Sequence, residues 1–229
     1  MDSTPHIYSK TMTAGTTSAL RPDGLSYEGT ATRFITIAWQ IGAGGWSLPQ
    51  RLAEAMNVHS SNKEPVWTSW DRELIDKVAA DYHLPVQSIQ KLEQSGYTWT
   101  DSFISGLGGV PDEFAILHRL KESVRTLAFS GRVILVGHGS VFLTRDIPGG
   151  LHIRLVAPLE QRIENVASRT HLSLHEAALH LKHSQRNWTR FIRRYWAEQS
   201  LAPETFAATL NTAGMDEDHL VRCIASLAS

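Results

Sequence analysis

Hydrophobic and polar positions divide the chain into a patternless start and a strongly patterned remainder. Residues 1–30 are rich in Ser, Thr, Gly and Pro and carry no sustained apolar period. They read as a mobile tail or an arm laid over a surface, with the folded domain expected over 31–229. The pattern begins at Phe34-Ile35-Thr36-Ile37-Ala38, a short β-branched run that predicts a buried strand. It stops in Gly42-Ala43-Gly44-Gly45, and Leu48, Leu52, Ala55 and Met56 then fall on one helical face. A second helix is predicted from Ser69-Trp70-Asp71-Arg72 through Leu74, Ile75, Val78, Ala79 and Tyr82, with Ser69 or Asp71 as its cap. A shorter helix follows over about 85–94, then a glycine-rich loop over 95–111.

Asp112 opens a long helical pattern through Phe114, Leu117, Leu120, Val124 and Leu127, ended by Gly131. Val133–Val136 and Leu151–Val156 are strong strands, separated by Gly137-His138-Gly139-Ser140 and a short amphipathic stretch. After Pro158 the pattern is helical over about 159–170, 173–196 and 216–227, and Ser173 with Glu176 forms a capping box. Strands alternating with helices predict an α/β fold with a parallel sheet and right-handed crossovers.

Composition narrows the class. A chain of 229 residues at 42% hydrophobic and 20% charged holds one ordinary domain with a real core. With 22 basic against 23 acidic residues, it lacks the basic excess of a sequence-independent nucleic-acid binder. The single cysteine, Cys223, excludes an intramolecular disulfide and reads as a small buried apolar residue. No apolar run approaches the roughly 20 residues that span a bilayer. Asp2 and the polar residues after it do not resemble a secretory signal, so a cytoplasmic protein without membrane partners is expected.

The candidate chemistry starts at Gly42–Gly45. A strand, a glycine loop and a helix opening near Ser47 is the order that cradles phosphate, because converging backbone amides and the helix dipole favour an anion. A full G-x-x-x-x-G-K-[ST] loop is absent, since the loop holds no lysine. The alternative is a tight turn with no ligand. Arg186, Arg190 and Arg193 share one helical face, which suits a triphosphate or simply a solvated basic stripe. His171 and His175 have the i, i+4 spacing of a metal pair, but His171 precedes the Ser173 cap and no acidic third ligand accompanies them.

Three separated segments carry a resemblance. Phe34-Ile35-Thr36-Ile37 with Gly42-Ala43-Gly44-Gly45 and Leu52-Ala53-Glu54 is the first; Asp71-Arg72-Glu73-Leu74-Ile75 is the second. The third runs from Val133 through Arg145-Asp146, Pro148 and Leu155-Val156-Ala157-Pro158-Leu159-Glu160-Gln161-Arg162-Ile163. Ser173, Arg186, Phe191-Ile192-Arg193-Arg194-Tyr195 and Leu210-Asn211-Thr212 extend it. Together these resemble the cytidylate kinase-like family over about residues 33–228.

The resemblance implies a P-loop kinase-like fold: a parallel sheet flanked by helices, with a helical lid at about 165–200. It implies phosphoryl transfer from ATP or another nucleoside triphosphate, with Mg2+, to a nucleotide or other small acceptor. The residues it points to are Gly42, Gly44, Gly45, Trp46, Ser47 and Arg190 for the nucleotide, with Ser47 on the metal. His138, Arg169 and Arg186 would act in catalysis, and Asp71 and Arg72 would hold the acceptor.

The departures fall in the chemistry. Where the family reads Ser-Arg-Glu after the first strand, this chain has Ala38-Trp39-Gln40, and Trp46 stands at the loop's arginine. His138 replaces the arginine after the second glycine turn, and Gln185 the lid's acid. An indole has one neutral donor and cannot replace a guanidinium fork. A weakened kinase is therefore expected, or a ligand that uses the flat surfaces of Trp39 and Trp46. A nucleotide-binding or regulatory protein without turnover is the other reading, and a homodimer built on the apolar helices stays open.

Overall fold

The structure, a computed structural model, describes residues 32–58, 66–71, 113–196 and 202–229. The strands are β1 (Phe34–Trp39), β2 (Thr68–Trp70), β3 (Val133–Val136), β4 (Gly150–Val156) and β5 (Ala208–Asn211). The helices are α1 (Leu48–Val58), α2 (Glu113–Ser130), α3 (His138–Thr144), α4 (Leu159–Thr170), α5 (Leu174–Tyr195) and α6 (Glu217–Ala228). The sheet order is β2-β3-β1-β4-β5, and each neighbouring pair is parallel. This is the α/β architecture expected from the alternating pattern: a P-loop kinase-like sheet flanked by helices.

β1 is central and every residue of it is buried, as a two-sided layer requires. On one face Ile35, Ile37, Ile134, Val136, Ile153 and Leu155 meet Leu48 and Leu52 of α1 and Leu220 and Ile224 of α6. α2 packs against β3 and α3 against β1, giving the sheet further helical cover. Leu120, Val124 and Leu127, the predicted apolar positions of α2, are buried.

Two strands escaped the sequence pattern. Thr68–Trp70 is a strand, not the start of a helix, so Ser69 caps nothing. β2 has three residues, too few to show a period, and its ladder comes from β3, where Trp70 pairs with Leu135. β5 has four residues, of which only Ala208 and Leu210 are apolar, so it lacks the continuous apolar run of β3, and it is held by β4. The predicted helices beyond Asp71 and the 95–111 loop lie outside the described residues. Cys223 is half-buried rather than buried.

Gly137-His138 forms no free turn: Gly137, at φ 116°, is the N-cap of α3, which His138 opens. α4 ends at His171 in the left-handed region, φ 56°, and the chain restarts at the Ser173 cap. His171 and His175 therefore sit on either side of a break, as expected. Val166 of α4 packs against Ala177 and Leu181 of α5, making these two helices a hairpin. Phe142 of α3 and Trp196, just past α5, lie 5.1 Å apart, which seats the far end of the hairpin on α3. No helix among the described residues is long and apolar enough to cross a membrane.

Candidate functional site

Parallel strands bring their carboxyl ends to one edge of the sheet, where α/β proteins bind ligands. Gln40–Ser47 leaves β1 there, Asp71 follows β2, Gly137-His138 follows β3, Ala157-Pro158 follows β4 and Thr212 follows β5. Gln40 ties two of these ends together. Its amide donates to Leu155 O at 2.9 Å, and its side-chain oxygen accepts from the Ala157 amide at 3.2 Å.

The glycine loop is shaped by bonds to its carbonyls. Asn165 Nδ2 donates to Gly42 O at 2.9 Å, Arg162 to Ile41 O at 3.4 Å, and the Thr212 hydroxyl to Ala43 O. In a trans peptide the C=O and the following N–H point in opposite directions. Holding Ala43 O on Thr212 therefore aims the Gly44 amide away from that contact. The Ala43 amide is used internally, donating to Gln40 O at 2.8 Å. The amides of Gly44, Gly45 and Trp46 have no acceptor among the described residues. Gly42 has φ +83°, and a Cβ there would stand 2.7 Å from Arg162 O. That glycine is required both by its backbone angle and by the close approach of α4.

Aromatic rings and cations surround the loop. Trp39 and Trp46 touch edge to face with centroids 5.8 Å apart. Trp39 is 2% exposed, and its buried Nε1 has no hydrogen-bond partner; Trp46 is 38% exposed. The Arg169 guanidinium stacks on Trp46, 3.8 Å from the ring centroid. Arg162 Nε is also buried without an acceptor, and burial lowers the pKa of its guanidinium. Arg162 belongs to the site, although the sequence showed it only as one basic residue among several. Its signal was position, one turn into the helix that follows β4.

Ser47 lies at the start of α1, where its hydroxyl donates to Glu217 in the first turn of α6. Arg51 pairs with the same Glu217 at 3.3 Å and with Asp218. Asp71 stands at the end of β2 on the same edge of the sheet, while Arg72 lies outside the described residues. His138 is placed at that edge through its backbone; its side chain is outside the described set, as is that of Arg190. Arg186 is exposed on α5 and makes no hydrogen bond to the loop among the described residues. The structure thus joins Gly42, Gly44, Gly45, Trp46, Ser47 and Arg169 around one loop.

Sheet order, glycine loop and helical hairpin define a P-loop kinase-like protein. A sequence profile of the cytidylate kinase-like family matches residues 34–214, and the chain belongs to that family. Comparison with curated proteins gives no match. Among solved structures, an uncharacterised protein from Eubacterium ventriosum superposes with a TM-score of 0.62 at 16% identity, covering 86% of this chain and 98% of that one. Shikimate kinase from Bacteroides thetaiotaomicron gives 0.49 at 12% identity, covering 85% and 97%. Shikimate kinase from Acinetobacter baumannii, in complex with shikimate, gives 0.49 at 14% identity, covering 86% and 92%. At these identities the likeness concerns the fold alone.

Proposed function

We propose that this chain binds a nucleoside triphosphate at the glycine loop and transfers its terminal phosphoryl group weakly, to a nucleotide or another small acceptor. The observation that carries the reading is the set of amides at Gly44, Gly45 and Trp46, left without acceptors at the carboxyl end of the central strand. Unmet donors of this kind, beside the Arg162 and Arg169 guanidiniums, suit phosphate oxygens.

Weak turnover follows from what flanks the loop. Phosphoryl transfer depends on cations placed around the moving group, and one well-placed donor is worth about 10²–10³ in rate. The loop has no lysine, and Trp39 and Trp46 occupy two arginine positions. The chain's own residues would bind and orient the phosphates; Asp71, at the edge of the same crevice, would face the acceptor.

The residues present fit a magnesium ion that arrives with the triphosphate, which draws most of its ligands from phosphate and water. Ser47 Oγ donates its hydrogen to Glu217 and so keeps its lone pairs for such an ion. The described residues contain no cluster of three or more His, Cys, Asp or Glu to hold a metal by themselves. When bound, the ion would neutralise phosphate charge.

A second reading, nucleotide binding without turnover in a regulatory role, draws on the same tryptophans. A thermal-shift screen against nucleoside mono-, di- and triphosphates, with and without magnesium, tests the binding. A ligand at a hundredfold excess over Kd stabilises the fold by about 2.7 kcal/mol. No shift with any nucleotide would refute both readings. A coupled assay with ATP and CMP is expected to show little turnover, and robust turnover would refute the weakening.

A further inference from the structure

The family's loop arginine is absent, yet a guanidinium lies against the residue that replaced it. Trp46 presents one indole face to Arg169, with the guanidinium carbon 3.8 Å from the ring centroid. Trp39, which is almost fully buried, meets the same indole edge to face, with centroids 5.8 Å apart. A ring held by a buried neighbour is a platform, and a guanidinium stacks on such a face while keeping its N–H fork in plane for an anion. Arg169 comes from the last turn of α4, whose preceding turns already grip the loop through Arg162 and Asn165.

We infer that Trp46 is a positioning residue that carries Arg169 to the glycine loop, so the site's cation is delivered by the helical hairpin rather than by the loop. Trp46 supplies no charge of its own. Its indole fixes where the Arg169 charge stands relative to the amides of Gly44, Gly45 and Trp46. The arrangement makes phosphate affinity depend on the two side chains jointly.

This inference rests on the reading of the glycine loop as a phosphate site. The test is calorimetric titration of the full chain with MgATP and with inorganic tripolyphosphate, on wild type, Arg169→Ala, Trp46→Leu and the double variant. A charge-assisted contact to phosphate is worth about tenfold or more in affinity, so each single variant should lose roughly that factor. The double variant should lose no more than either single one, the signature of a coupled pair. Trp46→Phe, which keeps an aromatic face, should stay within about threefold of wild type.

Wild-type affinity in Trp46→Leu, or losses that add in the double variant, would overturn the inference and leave the phosphate site standing. No binding of either probe by wild type would overturn both. Should Trp46→Leu fail to fold, Arg169→Lys reads the contact from the other side. It keeps the charge and loses the planar stack, so a loss close to that of Arg169→Ala is expected, and wild-type affinity would refute the platform.

Discussion

Gly42 is where backbone angle and packing make the same demand. Its φ of +83° is strained for any side chain, and a Cβ would meet the carbonyl oxygen of Arg162 at 2.7 Å, a backbone atom that cannot swing aside. Gly42→Ala should therefore destabilise the protein by about 2 kcal/mol or more. Gly214→Ala, where nothing lies within 4 Å, should be close to neutral. Urea denaturation of both variants checks the contrast, and equal midpoints would count against the close approach of α4. The glycines were legible in the sequence because strand, glycines and helix follow one another locally. The contact of Trp46 with Arg169 was not, because residues so far apart meet only when α4 folds back over the loop.

At the scale of elements, helix ends were the most legible features, since caps depend on neighbours a few positions away. Ser173 and Glu176 form the expected box. The Ser173 amide donates to Glu176 Oε2 at 2.9 Å, and Ser173 Oγ accepts from the Glu176 amide at 3.3 Å. Ser173 Oγ also donates to Glu176 Oε2 at 2.6 Å, and this bond foremost, then the one from the Ser173 amide, lowers the Glu176 pKa. The box starts α5, the helix that α4 packs against to shape the candidate site. Ser173→Ala should cost about 1 kcal/mol, read as a lower urea midpoint at unchanged slope. Wild-type stability would mean that packing at Val166, Ala177 and Leu181 fixes the hairpin without the cap. β2 and β5 mark the opposite case: Thr-Ser-Trp and Ala-Thr-Leu-Asn lack the apolar run that marks the equally short β3, and pairing with β3 and β4 defines them.

At the scale of the whole molecule, the sheet half-buries a titratable group whose cost is felt as global stability. His152 on β4 shares a hydrogen bond of 2.8 Å with Thr36 of β1 and meets the Phe34 ring edge-on at 5.9 Å. Burial lowers its pKa from 6.5 to about 4. The folded state therefore favours the neutral ring. Its contribution is fully present above pH 6.5 and is lost as the pH falls from there toward 4, where the folded form also protonates. The loss should amount to roughly 2–3 kcal/mol, since one pKa unit is worth about 1.36 kcal/mol. Denaturation midpoints of wild type and His152→Gln across this range provide the test, with a flatter profile expected for the variant. Parallel profiles would show that other groups carry the acid sensitivity. By itself the sequence determined the α/β class, the long helices, the strong strands and the glycine loop, because each rests on periodicity or capping within a few residues. Tertiary structure alone decided the short strands β2 and β5, the half-buried setting of His152, and the grip of Arg162, Asn165 and Thr212 on the loop. It alone placed Arg169 on Trp46. Those depend on partners distant in the chain, which come together only when parallel strands align their carboxyl ends and α4 packs across that edge.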